Sequence, residues 1–150
     1  MSSNFDKSID LVVETCLAVQ LRMLNRVVTN VYDEVLRPLG LKASQMNILV
    51  AAHKMRIARP ADVCARLHLD VSTLSRNVER MKDKGWLEVV PDADGRAQPI
   101  RVTEAGRKLL EQALPLWKQA QDRAMKLLGG GAVDQLAKSV KRLNRSPAAV

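Results

Sequence analysis

The chain has 150 residues, of which 47% are hydrophobic and 27% charged, and its formal net charge is +8. This length and composition are those of one folded domain, so we treat residues 1–150 as a single domain. No apolar run approaches the ~20 residues of a membrane span, and the N-terminal segment lacks the basic start of a signal peptide, so we predict a cytoplasmic protein with no membrane partner. The excess positive charge favours a polyanionic partner.

Residues 8–37 have the pattern of one long amphipathic helix. Its apolar positions alternate between steps of four and three residues: Leu17, Leu21, Leu24, Val28, Val31 and Val35. This heptad spacing is typical of helices that pack on other helices, and Pro38 with Gly40 ends the pattern. A second helix is predicted after an N-cap at Ser44. Along one of its faces lie Met46, Leu49, Val50 and His53.

Two short helices and a hairpin follow. Arg59 and Pro60 begin the third helix, and Asp70 caps a fourth that runs to about residue 84 before Gly85. The predicted core positions of the fourth helix are Val71, Leu74, Val78 and Met81. Residues 86–91 and 100–102 have strand patterns, joined by turn residues 92–96. This order predicts a mainly α fold with a small β-hairpin wing, a winged helix-turn-helix.

Two more helices complete the chain. Thr103 is the predicted N-cap of the fifth helix, in which heptad spacing returns and Pro115 is expected to cause a bend; residues 129–131 separate it from the sixth. Long heptad-spaced helices at both ends of a small chain predict a two-fold homodimer. We therefore assign residues 8–37 and 104–145 to a helical dimerisation region and residues 44–103 to a DNA-reading head.

The fourth helix has a polar face opposite its predicted core positions. At 100° per residue that face is rich in hydroxyl and arginine side chains, which bond phosphates and read guanine edges. With the hairpin, it predicts binding to double-stranded DNA. The candidate DNA-binding residues in the helix are Ser72, Thr73, Ser75, Arg76 and Arg80.

Four segments resemble the MarR family of bacterial transcriptional regulators: PLGL at 38–41, DVSTLSRNVERMKDKGW at 70–86, DGR at 94–96 and IRVTEAG at 100–106. The resemblance implies a six-helix homodimer whose first, fifth and sixth helices intertwine, and a regulator, by default a repressor, of a palindromic operator. It implies that Arg76 and its hydroxyl neighbours enter the major groove and that Arg96, at the wing tip, reaches the minor groove. Asp94 resembles the acid that braces this arginine, although its role could be only that of a turn former.

Two polar side chains lie on otherwise apolar helical faces, Gln20 in the first helix and His53 in the second. Buried polar groups need hydrogen-bond partners, and a structural role for both is the simpler interpretation. The alternative is that Gln20, Met46, Val50 and His53 line an effector pocket between the dimerisation region and the reading head. The resemblance places pockets for small aromatic acids and phenols there, and binding would release the dimer from its operator.

Other chemistry has less support in the sequence. Cys16 invites comparison with the peroxide-sensing branch of the family, but that branch's cysteine would align near Ala18, so a thiol-based sensor is an alternative only. Cys64, His68 and His53 lack the further ligands that a metal site needs. We predict no cofactor and no enzymatic activity, because no nucleophile–base pair, phosphate loop or paired carboxylates are evident. A non-specific architectural DNA-binding protein is the remaining alternative.

Overall fold

The computed structural model describes residues 3–145, and helices dominate it. The elements, in chain order, are α1 (Asn4–Thr15), α2 (Leu17–Leu36), a 3-10 turn (Arg37–Leu39), α3 (Ala43–Met55), α4 (Pro60–Leu67), α5 (Val71–Asp83), β1 (Leu87–Val89), β2 (Ile100–Val102), α6 (Glu104–Leu128) and α7 (Gly130–Arg145). The predicted fold class, mainly α with a two-stranded hairpin after a helix-turn-helix, is confirmed.

The N-terminal helical region begins earlier than predicted and is interrupted. Ser3 and Asp6 form a reciprocal capping box that starts α1 at residue 4, not 8. At Cys16 the backbone takes φ −62° and ψ 108°, which separates α1 from α2. The side-chain amide of Gln20 donates to the carbonyl oxygen of Glu14 at 3.0 Å across this break. The prediction of one continuous helix was therefore wrong, and no proline or glycine in this segment signals the interruption.

The start of α3 depends on a residue far from it in sequence. The helix begins at Ala43, so the predicted N-cap at Ser44 was wrong. The first backbone N–H of the helix, that of Ala43, donates to Oδ1 of Asp33 in α2 at 2.8 Å. The backbone N–H of Lys42 donates to Oε1 of Gln45 at 3.1 Å. Side chains from two elements thus satisfy N–H groups that have no partner within the helix.

The core lies between α3, α4, α5, the hairpin and the first half of α6. Its largest fully buried side chains are Leu36, Leu41, Ile48, Leu49, Leu74, Met81, Ile100 and Val63. Two predicted core positions lie outside it, because Val71 is 70% exposed and Val50 is 47% exposed. The buried face of α5 is consequently short, and its first turn projects from the head.

The hairpin is attached to the rest of the head by a third segment. Its antiparallel register pairs Leu87 with Val102 and Val89 with Ile100. Ile100 also forms an isolated bridge with Ala58, in which each backbone N–H donates to the other residue's carbonyl at 2.8 Å. The hairpin is therefore not isolated, because the loop before α4 fixes one of its strands.

Helices α2 and α6 pack against each other outside the head. Arg123 forms an ion pair with Glu34 at 3.2 Å, and the hydroxyl of Tyr32 donates to Oε1 of Gln121. Burial raises the pKa of Tyr32.

The remaining faces of the long helices carry many exposed large apolar side chains, among them Phe5, Val12, Leu17, Leu21, Met23, Leu114, Leu127 and Leu143. Within residues 3–145, no helix is both long and apolar enough to cross a membrane.

Candidate nucleic-acid interface

A tight turn places α5 on the surface. His68 ends α4 in the left-handed conformation, with φ 51° and ψ 47°, and the N–H of Leu69 donates to the carbonyl of Cys64 at 3.0 Å. Asp70 then returns to extended backbone and caps α5, as predicted. Only two residues separate the end of α4 from this cap, so the two helices form the compact unit expected of a helix-turn-helix.

Asp70 organises the first turn of α5 through both of its carboxylate oxygens. Oδ1 accepts from the Ser72 hydroxyl at 2.6 Å and from the backbone N–H of Thr73 at 2.7 Å. Oδ2 accepts from the Thr73 hydroxyl at 2.7 Å. These hydrogen bonds, that of Ser72 first, hold the pKa of the Asp70 carboxyl well below its ordinary value. The sequence indicates the cap but not the bonds of Asp70 to the two hydroxyls.

The predicted DNA-binding residues of α5 share one outer surface. Ser72, Ser75, Arg76 and Arg80 are exposed, and Thr73 is half-buried. Leu74 and Met81 on the opposite side are fully buried in the core, which fixes the rotation of the helix. The structure therefore brings these five candidates together. Whether they contact DNA stays a prediction.

The C-terminal end of α5 is fastened to the loop after α2. Nζ of Lys84 donates to the carbonyl oxygen of Gly40 at 3.0 Å and lies 4.4 Å from the ring centre of Trp86. Gly40 is left-handed, with φ 61°. A cation over an aromatic ring is attracted by the ring's negative face, so one lysine connects the loop to the residue that precedes the hairpin.

The hairpin projects an arginine beside α5. Gly95 has φ 64° in the turn, and its N–H donates to the carbonyl of Asp92 at 3.1 Å. Arg96 follows and is exposed. Asp92, rather than Asp94, makes the turn's side-chain contacts, since it accepts from the N–H of Ala97 at 3.3 Å and lies 3.8 Å from Arg59. In residues 3–145, no hydrogen bond or ion pair joins Asp94 to Arg96.

The base of the hairpin contacts the start of α6. The side-chain hydroxyl oxygen of Thr103 accepts from the backbone N–H of Gly106 at 3.1 Å. The backbone N–H of Thr103 donates to the carbonyl of Trp86 at 3.1 Å. A Cβ on Gly106 would lie only 2.2 Å from that same carbonyl oxygen. This close approach explains why glycine occupies a helical position, where its flexibility is otherwise a cost.

The four candidate effector residues do not surround one cavity. Met46 is buried in the core, whereas Gln20, Val50 and His53 are exposed. The premise that Gln20 and His53 are buried polar groups is thus wrong for the single chain. His53 borders an open cavity of about 380 Å³ between the end of α3, β2 and the start of α6, and the other three candidates are not part of its lining.

The cavity beside His53 has a cationic rim that the sequence did not indicate. Arg56, Arg101 and Arg107 line it together with Glu104. Arg56 has φ 67° and ψ −65°, and the N–H of Ile57 donates to the carbonyl of Met55 at 2.8 Å, which defines a γ-turn. A non-glycine residue at positive φ leaves no local sequence signal, so neither the turn nor the cavity could be foreseen.

Neither cysteine lies in a cluster that suggests redox or metal chemistry. Cys16 and Cys64 are both half-buried free thiols. Across the part of the chain that the structure describes, no group of three or more histidine, cysteine, aspartate or glutamate side chains is placed to hold a metal ion. This geometry therefore adds no second residue in support of a thiol-based sensor.

A helix-turn-helix whose second helix presents hydroxyls and arginines, beside a hairpin carrying a further arginine, defines a winged helix-turn-helix DNA-binding protein. A sequence profile of the MarR family matches residues 39–97. The multiple antibiotic resistance protein MarR of Escherichia coli is 27% identical over 118 residues, which cover 78% of this chain and 81% of that protein.

Two solved structures share the fold. A mutant E. coli MarR in complex with operator DNA superposes with a TM-score of 0.76 at 24% identity, over 95% of this chain and 99% of that one. The Bordetella bronchiseptica protein BpsR, whose DNA binding is regulated by 6-hydroxynicotinic acid, has a TM-score of 0.76 at 20% identity, over 87% of this chain and 99% of that one. The chain is therefore similar to the MarR transcriptional regulators in the sequence of its reading head, and it shares their fold.

Proposed function

We propose that the chain is a repressor that binds an inverted-repeat operator as a homodimer and is released by a small-molecule effector. The observation that carries the proposal is that the hydroxyls and arginines on one face of α5 are exposed, as is Arg96 of the wing. The MarR relative bound to operator DNA supports the same use of this fold.

The homodimer follows from the apolar surface that one chain leaves open. Leu17, Leu21 and Leu114 are between 50% and 66% exposed, on helices at opposite ends of the chain. Large exposed apolar surface marks an interaction site, and we propose that these side chains form one. We assign residues 8–37 and 104–145 to the dimer interface and residues 44–103 to the reading head. Sedimentation of a monomer at micromolar concentration would contradict this assignment.

Two-fold symmetry then sets the form of the operator. A dimer with one recognition helix per protomer reads an inverted repeat whose half-site centres lie about one turn, ~10 base pairs, apart. In this arrangement Ser72, Thr73, Ser75, Arg76 and Arg80 enter the major groove, and Arg96 enters the minor groove. Asp94 contributes only to the turn that presents Arg96.

Two arginine variants test the reading head on a site selected from random DNA. Arg76→Ala should lower discrimination between the selected site and its point mutants by about 1–3 kcal/mol, because a base contact is lost. Arg96→Ala should weaken binding evenly across sequences. It should also reduce the slope of log K against log salt concentration by about one, because binding releases about one counterion fewer. Lys7→Ala, a loss of one exposed charge on α1 outside both assigned regions, is the control. Wild-type binding by both arginine variants would refute the assignment.

We propose that the effector binds in the cavity at His53 and thereby releases the protein from its operator. A carboxylate there has the side chains of Arg56, Arg101 and His53 within its lining, and the BpsR relative is regulated by a small aromatic acid. Gln20, Met46 and Val50 belong to the sequence-based pocket hypothesis but do not border this cavity.

The test titrates benzoates and phenols against the operator complex of wild type and His53→Ala. The expected result is that the variant needs a higher effector concentration for release, because the cavity loses a hydrogen-bond donor. Release of both proteins at the same concentration would show that His53 has no part in effector binding.

A further inference from the structure

We propose that the first turn of α5 presents hydrogen-bond acceptors to the major groove, and so selects base pairs that offer an amino group, adenine N6 or cytosine N4. The residues that make this selection are Ser72 and Thr73, with Asp70 as the residue that orients them. The proposal rests on the DNA-binding role of α5 proposed above, and it assigns these hydroxyls a different role from the phosphate contacts that hydroxyls commonly make.

The hydroxyls of Ser72 and Thr73 have few protons to offer to DNA. A serine or threonine hydroxyl has one proton to donate and lone pairs that accept. In this structure the hydroxyls of Ser72 and Thr73 both donate to Asp70, at 2.6 and 2.7 Å. With their protons directed inward, each oxygen can only accept from a further partner.

The orientation is held by charge and by the helix itself. Hydrogen bonds from a hydroxyl to a carboxylate are among the strong ones, at O···O distances of about 2.5–2.7 Å. The same carboxylate caps the backbone N–H of Thr73 at 2.7 Å, where the partial positive charge of the helix N-terminus also stabilises it. Turning either hydroxyl outward would therefore break a charge-assisted bond.

An acceptor surface discriminates between DNA groups. Phosphate oxygens are acceptors, so they gain nothing from these hydroxyls and are repelled by Asp70. In the major groove, guanine N7 and O6 and thymine O4 are also acceptors, whereas adenine N6 and cytosine N4 are donors. Ser72 is exposed and Thr73 half-buried on the surface that carries Arg76. The helix thus combines acceptors in its first turn with an arginine donor in its second.

Base analogues test the polarity directly. In a selected operator, each adenine is replaced in turn by purine, which lacks the N6 amino group, and each cytosine by 2-pyrimidinone, which lacks N4. Loss of one such hydrogen bond should weaken binding by about 2- to 10-fold at one or two positions of each half-site. Ser72→Ala should abolish the effect at the position that Ser72 reads.

Asp70→Asn reverses the polarity while keeping the cap, because asparagine is as good an N-cap as aspartate. Its amide oxygen accepts from the Thr73 N–H, and its NH₂ group takes the place of Oδ2, which frees the Thr73 hydroxyl to donate. The variant should lose sensitivity to the purine or pyrimidinone substitution at the Thr73 position and should select guanine or thymine there. Asp83→Asn, at the other end of α5, removes the same charge and should keep wild-type selection.

The outcomes separate the two proposals. If no defined site is selected, the proposed operator binding fails and this inference fails with it. If a site is selected but no amino-group deletion in it weakens binding, or if Asp70→Asn keeps the wild-type preference, the operator binding stands and the acceptor assignment is overturned.

Discussion

The contact between α6 and the base of the hairpin predicts a strong effect of Gly106→Ala. A Cβ at residue 106 would lie 2.2 Å from the carbonyl oxygen of Trp86 and 2.8 Å from Cγ1 of Val102. Even a weak C–H···O contact has a carbon–oxygen distance of about 3.3–3.6 Å, so backbone must move by about 1 Å. The same carbonyl accepts from the N–H of Thr103, and that movement strains or breaks the bond.

The expected size of the effect combines three contributions. Overpacking costs about 1–3 kcal/mol, and a lost hydrogen bond adds about 0.5–1.5 kcal/mol. The higher helix propensity of alanine offsets about 1 kcal/mol. We therefore expect Gly106→Ala to lower the free energy of unfolding by about 0.5–3.5 kcal/mol, which corresponds to a fall in Tm of roughly 1–14 °C for a chain of this size.

Thermal and urea unfolding measure the change, and a second glycine supplies the control. Gly131 lies in α7, and a Cβ added there would have no other atom within 4 Å, so Gly131→Ala should leave stability unchanged or raise it by up to about 1 kcal/mol. A Tm of Gly106→Ala at or above that of wild type would refute the close approach between α6 and the hairpin.

Two further predictions concern helix starts. Asp33→Ala should lower the free energy of unfolding by about 1 kcal/mol, because the N–H of Ala43 loses its acceptor, while Asp33→Asn, which keeps an acceptor oxygen, should change it little; urea unfolding distinguishes them. The depressed pKa of Asp70 stabilises the fold above the ordinary carboxyl pKa of about 3.9, and this stabilisation is lost as pH falls below it. The stability difference between wild type and Asp70→Asn should therefore be constant above about pH 5 and shrink in more acidic solution, whereas a constant difference down to about pH 2 would contradict the hydrogen-bonded carboxylate.

The reading head was the most predictable part because its signals are local. Asp70 as a cap, the proline at the start of α4 and the turn residues before Arg96 each determine structure within a few positions. Consequently the order of elements and the face of α5 that carries Arg76 followed from the sequence alone.

The errors concern contacts that are distant in sequence. The bridge between Ala58 and Ile100 and the cap that Asp33 gives to α3 leave no periodic pattern. Periodicity also cannot tell a face buried within the chain from one left at the surface. Val71 and His53 occur at the same helical spacing as core residues, but both are exposed. The effector hypothesis assumed that His53 is buried and therefore contains the same error.

One short junction connects the parts that the proposed function requires to act together. The N–H of Trp86 donates to the carbonyl of Met81 at the end of α5, and the carbonyl of Trp86 accepts from Thr103 at the start of α6. Two hydrogen bonds therefore join the helix proposed to read DNA to the helix proposed to form the dimer. Thr103 also lines the cavity at His53. In the proposed dimer, we expect a ligand that moves Thr103 to tilt α5 relative to α6 and so to change the separation of the two recognition helices. The proposed release from the operator would then be a population shift between two geometries of this junction.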